Sequence, residues 1–352
     1  MVTTMFRSRA VAALLLATVV ATRGAVAQRA LPPDISWILK EAAQFPDERV
    51  QALQRGEVIS LTSTSGGDSE ASVVAAVRIA AAKELTASYF RQVVDFVDGQ
   101  VTLQHGAFSQ PPKTSDVARV ALTDEERTGL RACRPGDCDV RIGAAGARDI
   151  ASAIDWKDPR AAAAADAWVR ARLMAYVNDY LSRGDEALIT YNDKSDAVPL
   201  KREWAGIVAN SPALKAYAPD LQRYLTGFPG VTLRGVRDEV YWDRQHFTGL
   251  KPILGVTHIA TWSDPARPDR ILIAQKQIYA SHYFYGGLAV TLVLQDPKDV
   301  DPPVTYVVYA NRSRGDLLKG GFGGVRRHMA EQAVKSSAED LLSNMKQALE
   351  KK

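Results

Sequence analysis

Cysteine is scarce in this chain of 352 residues, and its two cysteines lie close together. Cys133 and Cys138 flank the residues RPGD, in which Pro-Gly is a turn dipeptide that brings the two ends together. A thioredoxin-like motif has two residues between its cysteines, and a zinc site needs further ligands nearby. The spacing therefore predicts a short structural disulfide, a bond that persists in oxidising compartments.

Long apolar runs are missing beyond the first part of the chain. The one such run, at 10–21, follows Arg7 and Arg9 and precedes the small-x-small stretch AVA at 25–27, a combination typical of a signal peptide. A helix of about twelve residues spans roughly 18 Å, far less than the ~30 Å hydrocarbon core of a membrane. We predict a signal peptide over 1–27 with cleavage after Ala27 and no permanent membrane anchor. The mature chain, 28–352, is then one exported domain, periplasmic or secreted.

Neither sign of charge dominates the composition. The chain has 44 Lys and Arg against 40 Asp and Glu, a formal net charge of +4. The basic residues form no run interleaved with aromatic side chains, which a nucleic-acid surface requires. Nucleic acid is therefore not an expected partner.

Catalytic and metal-ligating motifs are absent from the sequence. The five histidines show no HExxH or other ligand spacing, so no metal site is expected. The chain has no G-x-S-x-G elbow, and GGFGG at 320–324 lacks the Lys-Ser/Thr of a phosphate-binding loop. We therefore expect no cofactor, and we interpret 320–324 as a glycine-rich gate or connector before the last helix.

Hydrophobic periodicity divides the chain into three blocks. Strand patterns at 56–64 and 71–81 lead directly into a helix at 83–97. The block at about 113–230 is mostly helical, and its longest helix is expected at 158–184. The last block contains successive strand patterns and then one long amphipathic helix. The expected strands of this block are 239–247, 252–264, 270–287, 288–296 and 304–314, and the final helix is expected at 325–350.

Two segments carry the clearest element order: VVAAVRIAAAKELTASYFRQVVDF near the front and NRSRGDLLKGGFGGVRRHMAEQAVKSSAEDLLSNMKQAL at the end. This order resembles the helix-grip architecture of START-like and polyketide-cyclase-like (SRPBCC) proteins. The resemblance implies an α+β fold in which a curved antiparallel sheet wraps around the long C-terminal helix, with 113–230 as a helical insertion after the first helix. It also implies a cavity for a lipid, a sterol or another apolar molecule, in which a minority of members catalyse reactions.

The stretch SHYFYGGLAVTLVL at 281–294 alternates large and small side chains around a Gly-Gly pair. We expect Gly286-Gly287 to form either a two-residue hairpin or a kink in one long strand. In both cases one face carries aromatic side chains with polar tips, which suit a cavity wall that orients a head group. These candidate ligand-binding residues are Tyr279, Tyr283 and Tyr285. The alternative is the plain core of a curved sheet.

Two histidines are further candidates for the ligand site. His258 and His282 lie in neighbouring predicted strands, so their side chains are expected to be able to approach one another. Asp238 or Asp243 is the candidate carboxylate partner. The alternative is that each histidine is a hydrogen-bonded structural residue of the sheet.

Trp242 and Arg312 complete the candidate ligand site. Trp242 either lines the cavity or anchors the core. Arg312 lies near the end of the last strand and pairs either with neighbouring carboxylates or with an anionic head group, since guanidinium binds carboxylate and phosphate in a bidentate manner.

Three functions follow, in order of preference. The first is an exported START-like protein that binds or carries a hydrophobic small molecule, such as a lipid. Each CH₂ group buried in its cavity contributes about 0.8 kcal/mol to binding, so such a protein needs no catalytic motif. A cell-envelope interaction protein with a filled core and an apolar patch on 158–225 comes second, with no protein partner identified. An enzyme of the same shape, with His258 or His282 as general acid/base, comes third.

Overall fold

An antiparallel sheet with helices on both sides organises the chain. The computed structural model describes residues 30–63, 70–96, 102–246, 249–298, 301–316 and 323–351, with the side chains of 63, 91–96 and 323–330 left undescribed. The predicted signal peptide at 1–27 and residues 320–322 of the predicted gate lie outside this part of the chain. Leu31–Lys352 forms one compact unit. None of the helices described is long and apolar enough to cross a membrane.

The elements follow the three expected blocks. The first contains α1 (Pro33–Trp37) with a π-helical turn (Ile38–Ala42), α2 (Asp47–Gln54), β1 (Ile59–Ser63), β2 (Glu70–Ile79), α3 (Lys83–Phe96) and β3 (Thr102–Ala107). The second contains a 3₁₀ turn (Thr114–Val117), α4 (Asp124–Ala132), α5 (Ala144–Ala153), α6 (Ala161–Arg183), a 3₁₀ turn (Gly184–Ala187), β4 (Thr190–Tyr191), β5 (Val198–Pro199), α7 (Leu200–Ala209), α8 (Pro212–Tyr217) and α9 (Pro219–Gly227). The third contains β6 (Val236–Gln245), β7 (Ile253–Ser263), β8 (Arg270–Ala280), β9 (Phe284–Gln295), β10 (Thr305–Gly315) and α10 (Gly323–Glu350).

The main sheet of the described residues has eight strands in the order β1-β2-β10-β9-β8-β7-β6-β3. All neighbouring strands are antiparallel, and β6 to β10 form a meander. Strand β2, from the front of the chain, pairs with β10, from its end, so that Ile79 lies opposite Thr305 and Glu70 opposite Arg314. The helices of the second block connect β3 to β6 and do not interrupt the strand order.

Both faces of the sheet are covered, because successive side chains of a strand point to opposite faces. Val293 of β9 packs in a core with Leu342 of α10, whereas Leu292 of the same strand packs in a core with Trp204 of α7. We call the side bearing Val293 the α10 face and the side bearing Leu292 the insertion face. Strand β7 is buried along almost its whole length, as a central strand between two layers must be.

The structure confirms an α+β fold with a large antiparallel sheet and a long C-terminal helix. The three longest helices, α3, α6 and α10, lie within a few residues of the predicted positions. Strand β3 was not predicted, and it separates α3 from the helical block. The helices between β3 and β6 run from Thr114 to Gly227, so the insertion follows the strand and not the first helix.

Of the two forms predicted for Gly286-Gly287, the hairpin is wrong. The turn between β8 and β9 lies at 281–283, and the two glycines lie inside β9. Tyr283 adopts the left-handed conformation, with φ of 59°, so the turn forms without glycine. Gly286 is needed for packing, since a Cβ there would lie 2.7 Å from Cδ1 of Leu200.

Cys133 and Cys138 form the predicted disulfide. The bond closes the turn after α4, in which the backbone N–H groups of Arg134 and Asp137 each donate to the other residue's carbonyl. Cys133 is fully buried in a small core that includes Leu130. A loop this short contributes roughly 2 kcal/mol in the chain-entropy account, so the disulfide is a local support for the insertion.

We expect Leu342→Ala to lower the free energy of unfolding by about 2–5 kcal/mol, because Leu342 is fully buried between α10 and the sheet and truncation leaves a cavity. Urea denaturation followed by circular dichroism measures the change. The matched control is Gln347→Ala, an exposed position on the same helix, which is expected to stay within about 0.5 kcal/mol. Equal effects of the two substitutions would contradict the packing of α10 on the sheet.

Candidate functional site

The insertion face buries a histidine between a tyrosine and an aspartate. His258 of β7 has its Nδ1 2.8 Å from Oη of Tyr180 in α6 and its Nε2 2.8 Å from Oδ1 of Asp238 in β6. Since a carboxylate only accepts, Nε2 carries the proton and Nδ1 accepts the hydrogen bond of Tyr180. The other oxygen of Asp238 accepts a 2.5 Å hydrogen bond from Tyr224. Burial lowers the pKa of His258, although Asp238 opposes this effect, so the ring is neutral at pH 7.

A buried lysine lies beside this histidine. Lys276 of β8 is the register partner of His258, and it is 1% exposed. Its Nζ donates to Asp185, lies 3.4 Å from the carbonyl oxygen of Leu225 and lies 4.2 Å from the ring centroid of Trp204. Burial lowers the pKa of Lys276 to about 8, although the Asp185 carboxylate acts in the opposite direction.

A surface pocket of about 370 Å³ opens next to these two side chains. It lies between the end of α6 and the segment that follows α9. Two of its lining residues contact the buried groups: Asp185 binds Lys276, and the ring centroid of Phe228 lies 4.5 Å from that of His258. The other lining residues are Ser182, Arg183, Glu186, Thr226, Gly227, Pro229 and Gly230.

The structure gives His258 a carboxylate but not a second histidine. Of the two candidate carboxylates, Asp238 is the partner, and Asp243 lies on the opposite face of β6. His282 lies in the β8–β9 turn, roughly 15 Å along the sheet from His258 by strand rise, because Lys276 occupies the position opposite His258. The Nδ1 of His282 lies 2.9 Å from Oγ of Ser281.

The three candidate tyrosines lie near one another at the end of β8 and the start of β9. Tyr279 donates to the carbonyl oxygen of Arg141, and the Arg141 guanidinium lies 4.6 Å from the ring centroid of Tyr285. Burial raises the pKa of Tyr285 to about 12. Tyr283 accepts a 3.0 Å hydrogen bond from the backbone N–H of Lys251. All three side chains therefore hold loops of the insertion and of the sheet in place.

Trp242 and Arg312 also have protein partners, in separate places. The indole of Trp242 is buried on the insertion face and donates to the carbonyl oxygen of Asp116. Arg312 lies on the same face at the other side of the sheet and donates to Glu70 at 2.6 Å. Glu70 is 1% exposed and also accepts from Arg314. Arg312 thus takes part in a salt-bridged strand end, the first of its two expected roles.

Polar side chains replace apolar ones at one end of the α10 face, nearest the β8–β9 turn. Register and alternation place them on the same face of β6, β7, β8 and β10, and β9, between the last two, has Ala289 and Gly287 at the corresponding positions. Asn311 donates to Tyr309 at 3.0 Å, and Ser313 donates to Asn311 at 2.9 Å. We call this set the polar row; it consists of Tyr241, Asp243, Thr257, Gln275, Gln277, Tyr309, Asn311 and Ser313.

Asp243 is the one acidic member of the polar row. It is 5% exposed, and no ion pair of the described residues includes it. Burial raises its pKa to about 6, against a hydrogen bond from the side chain of Gln245. Gly255 on the next strand makes room for the carboxylate, since a Cβ there would lie 2.6 Å from Oδ1 of Asp243. The site therefore holds a buried carboxylate without a cation beside it.

Tyr241 and Tyr309 flank the polar row and remain partly accessible. Desolvation raises the pKa of both hydroxyl groups, yet each side chain is only half-buried. Tyr241 also hydrogen-bonds with Thr257.

Sequence reasoning missed Lys276, Asp185 and Arg141. A signal existed for Lys276, because it occupies the same alternating positions of RILIAQKQIYA as Leu272 and Ala274, which face the insertion. A lysine in an apolar row of a central strand needs a partner. No comparable signal exists for Asp185, which lies in the 3₁₀ turn after α6, or for Arg141, which lies in the loop between α4 and α5.

Comparison with protein-family models finds no match to this chain, and comparison with curated proteins finds no significantly similar sequence. Across the part of the chain that the structure describes, no group of three or more His, Cys, Asp and Glu side chains is placed to hold a metal ion. The functional argument therefore rests on the residues of this chain.

We expect Glu70→Ala to lower the free energy of unfolding by about 3–5 kcal/mol, because it leaves two guanidinium groups without their buried partner. Arg312→Ala is expected to cost less, about 1–2 kcal/mol, since Arg314 still pairs with Glu70. Denaturant unfolding of both variants makes the comparison. Unchanged stability in Arg312→Ala would show that its ion pair is dispensable and would favour its other expected role, as an anchor for an anionic head group.

Proposed function

We propose that this protein is an exported START-like protein that binds a small amphipathic molecule between the sheet and α10. The order of elements supports the proposal: β2 leads into α3, β6 to β10 form a meander, and α10 packs on the sheet. Curvature of the sheet around α10, and export through a signal peptide at 1–27, are parts of the same proposal.

Asp243 is the observation that carries this proposal. A buried carboxylate costs free energy unless a cation or several donors compensate it, and here Gln245 provides one side-chain donor. The backbone N–H of Asp243 is a second donor, and a ligand with an amine, amide or hydroxyl group would add a further hydrogen bond to the carboxylate. The polar row places further donors and acceptors, on Tyr309 and Asn311, within the same face.

The remainder of the α10 face is aliphatic and is covered by α3 and α10, so the apolar part of the ligand would have to replace some of that packing. The aliphatic side chains of this layer are Val73, Val77, Ile259, Ile271, Ile273, Val293 and Val307. Each CH₂ group moved from water onto such a surface contributes about 0.8 kcal/mol. The proposed ligand is therefore amphipathic, with a donor-bearing polar end and a short hydrocarbon part.

The proposal places the ligand on the face opposite to most of the candidate residues. Trp242, His258 and Arg312 point to the insertion face, where each has a protein partner. The members of the polar row alternate with Trp242, His258 and Arg312 along the same strands. Because successive side chains of a strand point to opposite faces, the two sets of residues lie on opposite sides of the sheet.

Native mass spectrometry of the mature protein, isolated from its exporting host without detergent, tests the proposal. We expect a reproducible extra mass that organic extraction recovers as a small amphipathic compound. The extra mass is expected to be lost in Asp243→Asn and retained in Asp196→Asn, an exposed aspartate of the insertion. A ligand-free mass for the native protein, together with no shift in melting temperature on adding the host's lipid extract, would overturn it.

We expect Asp243→Asn to stabilise the protein at neutral pH while it weakens binding. The folded-state pKa of Asp243, about 6, is above its ordinary value of 3.8, so between these pH values the native state binds more protons than the unfolded state. Stability is therefore lost as the pH rises from about 4 to about 6. The neutral asparagine removes a penalty on the order of 2–3 kcal/mol above this window and nothing below it.

Thermal unfolding of the native protein and of Asp243→Asn, at pH 4 and at pH 7, measures this difference. A similar gain at both pH values would mean that the carboxylate is not the source of the penalty. A loss of stability at pH 7 would mean that Asp243 has a structural partner.

A further inference from the structure

Lys276 is a charged side chain in a row of buried apolar side chains on β8. Its neighbours on the insertion face of β8, Ala274 and Ile278, are fully buried in the core with the helices of the insertion. Replacing a buried ion pair by apolar residues of similar size is often neutral or stabilising. Packing alone therefore does not account for an amine at this position.

The amine lies directly behind the wall of the 370 Å³ pocket. Its bonding partner, Asp185, lines the pocket, and the carbonyl oxygen of Leu225, 3.4 Å from Nζ, belongs to the residue before the lining residues Thr226 and Gly227. A movement of the Asp185 side chain would bring Nζ into contact with a molecule in the pocket. The lysine is thus one layer of atoms from the exterior.

Groups that accept and return protons surround the amine. Asp185 already accepts a hydrogen bond from Nζ. The ring of Tyr180 lies 5.6 Å from Nζ, and the hydroxyl of Tyr180 is hydrogen-bonded to His258, which is in turn bonded to Asp238. Addition of an amine to a carbonyl group needs a proton acceptor first and a proton donor later, and this arrangement contains both.

We propose that Lys276 is a reactive amine that forms a Schiff base with a small aldehyde or ketone bound in the pocket. The Lys276 ammonium group first gives one proton to Asp185. The neutral Nζ then forms a bond to the carbonyl carbon, and one proton of the attacking amine passes to the carbonyl oxygen to give a carbinolamine. Asp185 returns its proton to that oxygen, the C–O bond breaks with loss of water, and the nitrogen lone pair forms the C=N bond of a protonated Schiff base, so the step needs no oxidant or reductant.

The electrostatics of the site support this assignment. With the pKa of Lys276 lowered to about 8 by burial, roughly a quarter of the amine is neutral at about pH 7.5, against roughly a thousandth for an ordinary lysine. Only the neutral form adds to a carbonyl group. The pocket lining, with the ring of Phe228 and the polar side chains of Ser182 and Thr226, suits a small, partly polar carbonyl compound.

Reductive trapping tests the proposal on the mature, full-length protein. Propanal is the probe, sodium cyanoborohydride reduces any Schiff base, and peptide mass spectrometry measures the alkylation of each lysine over time. Lys251 is the internal control, because it is more accessible but is paired with Asp139, which raises its pKa. We expect Lys276 to be alkylated at least about tenfold faster than Lys251, with a rate that saturates as the propanal concentration rises.

Two variants separate a reactive lysine from a structural one. Lys276→Met keeps the length of the side chain without the amine, and it is expected to lose the fast phase and keep the slow labelling of Lys251. Phe228→Ala opens the pocket wall and is expected to keep or increase the fast phase. No alkylation of Lys276, or a rate that is linear in propanal and no faster than that of Lys251, would overturn the proposal.

This inference does not depend on the proposed ligand site, which lies on the opposite face of the sheet. Loss of the amphipathic ligand in Asp243→Asn would leave the labelling of Lys276 unchanged. The relative labelling rates of Lys276 and Lys251 in the native protein test the proposal by themselves. The test therefore holds even where a variant fails to fold.

Discussion

The antiparallel pairing of β2 with β10 is the interaction on which the other layers depend. It joins the first long strand of the chain to the last, and it places α3, which follows β2, and α10, which follows β10, on the same face. The entropy cost of closing so long a loop grows only slowly with its length, and the apolar burial of both strands offsets it. The insertion leaves the sheet after β3 and returns at β6, its neighbour at the edge, so a large helical block fits without changing the strand order.

The two faces of the sheet differ in the partners of their buried charged side chains. On the insertion face, the buried charged groups have partners across the layers: Lys276 pairs with Asp185, and Glu70 with Arg312. These contacts need both layers in one relative position, because a displaced partner would leave a buried charge uncompensated. On the α10 face, Asp243 has a neutral amide as its side-chain partner. The buried charges of the first face are therefore paired within the protein, whereas the Asp243 carboxylate of the second is bonded to a neutral group.

Periodicity and turn chemistry identified the elements whose packing is local. The final helix was predicted at 325–350 from its apolar stripe, against Gly323–Glu350 in the structure, and the disulfide from the spacing of Cys133 and Cys138. The β8–β9 turn was misplaced because Tyr283 takes a conformation usually adopted by glycine. The candidate site was only partly predictable: Asp238 and Asp243 were both candidate carboxylate partners for a histidine, and only the register of β6 against β7 separates their roles.

The sequence by itself determined the class of fold, the two-residue alternation of each strand, the short disulfide and the absence of a recognisable catalytic motif, because these depend on neighbours within a few residues along the chain. The tertiary structure decided which face each alternating set occupies and which charges meet. The loops of the insertion bring Asp185 to Lys276, and α6 brings Tyr180 to His258. Such contacts join residues far apart in the chain, and their geometry arises only when the strands have paired and the helices have packed on both faces of the sheet.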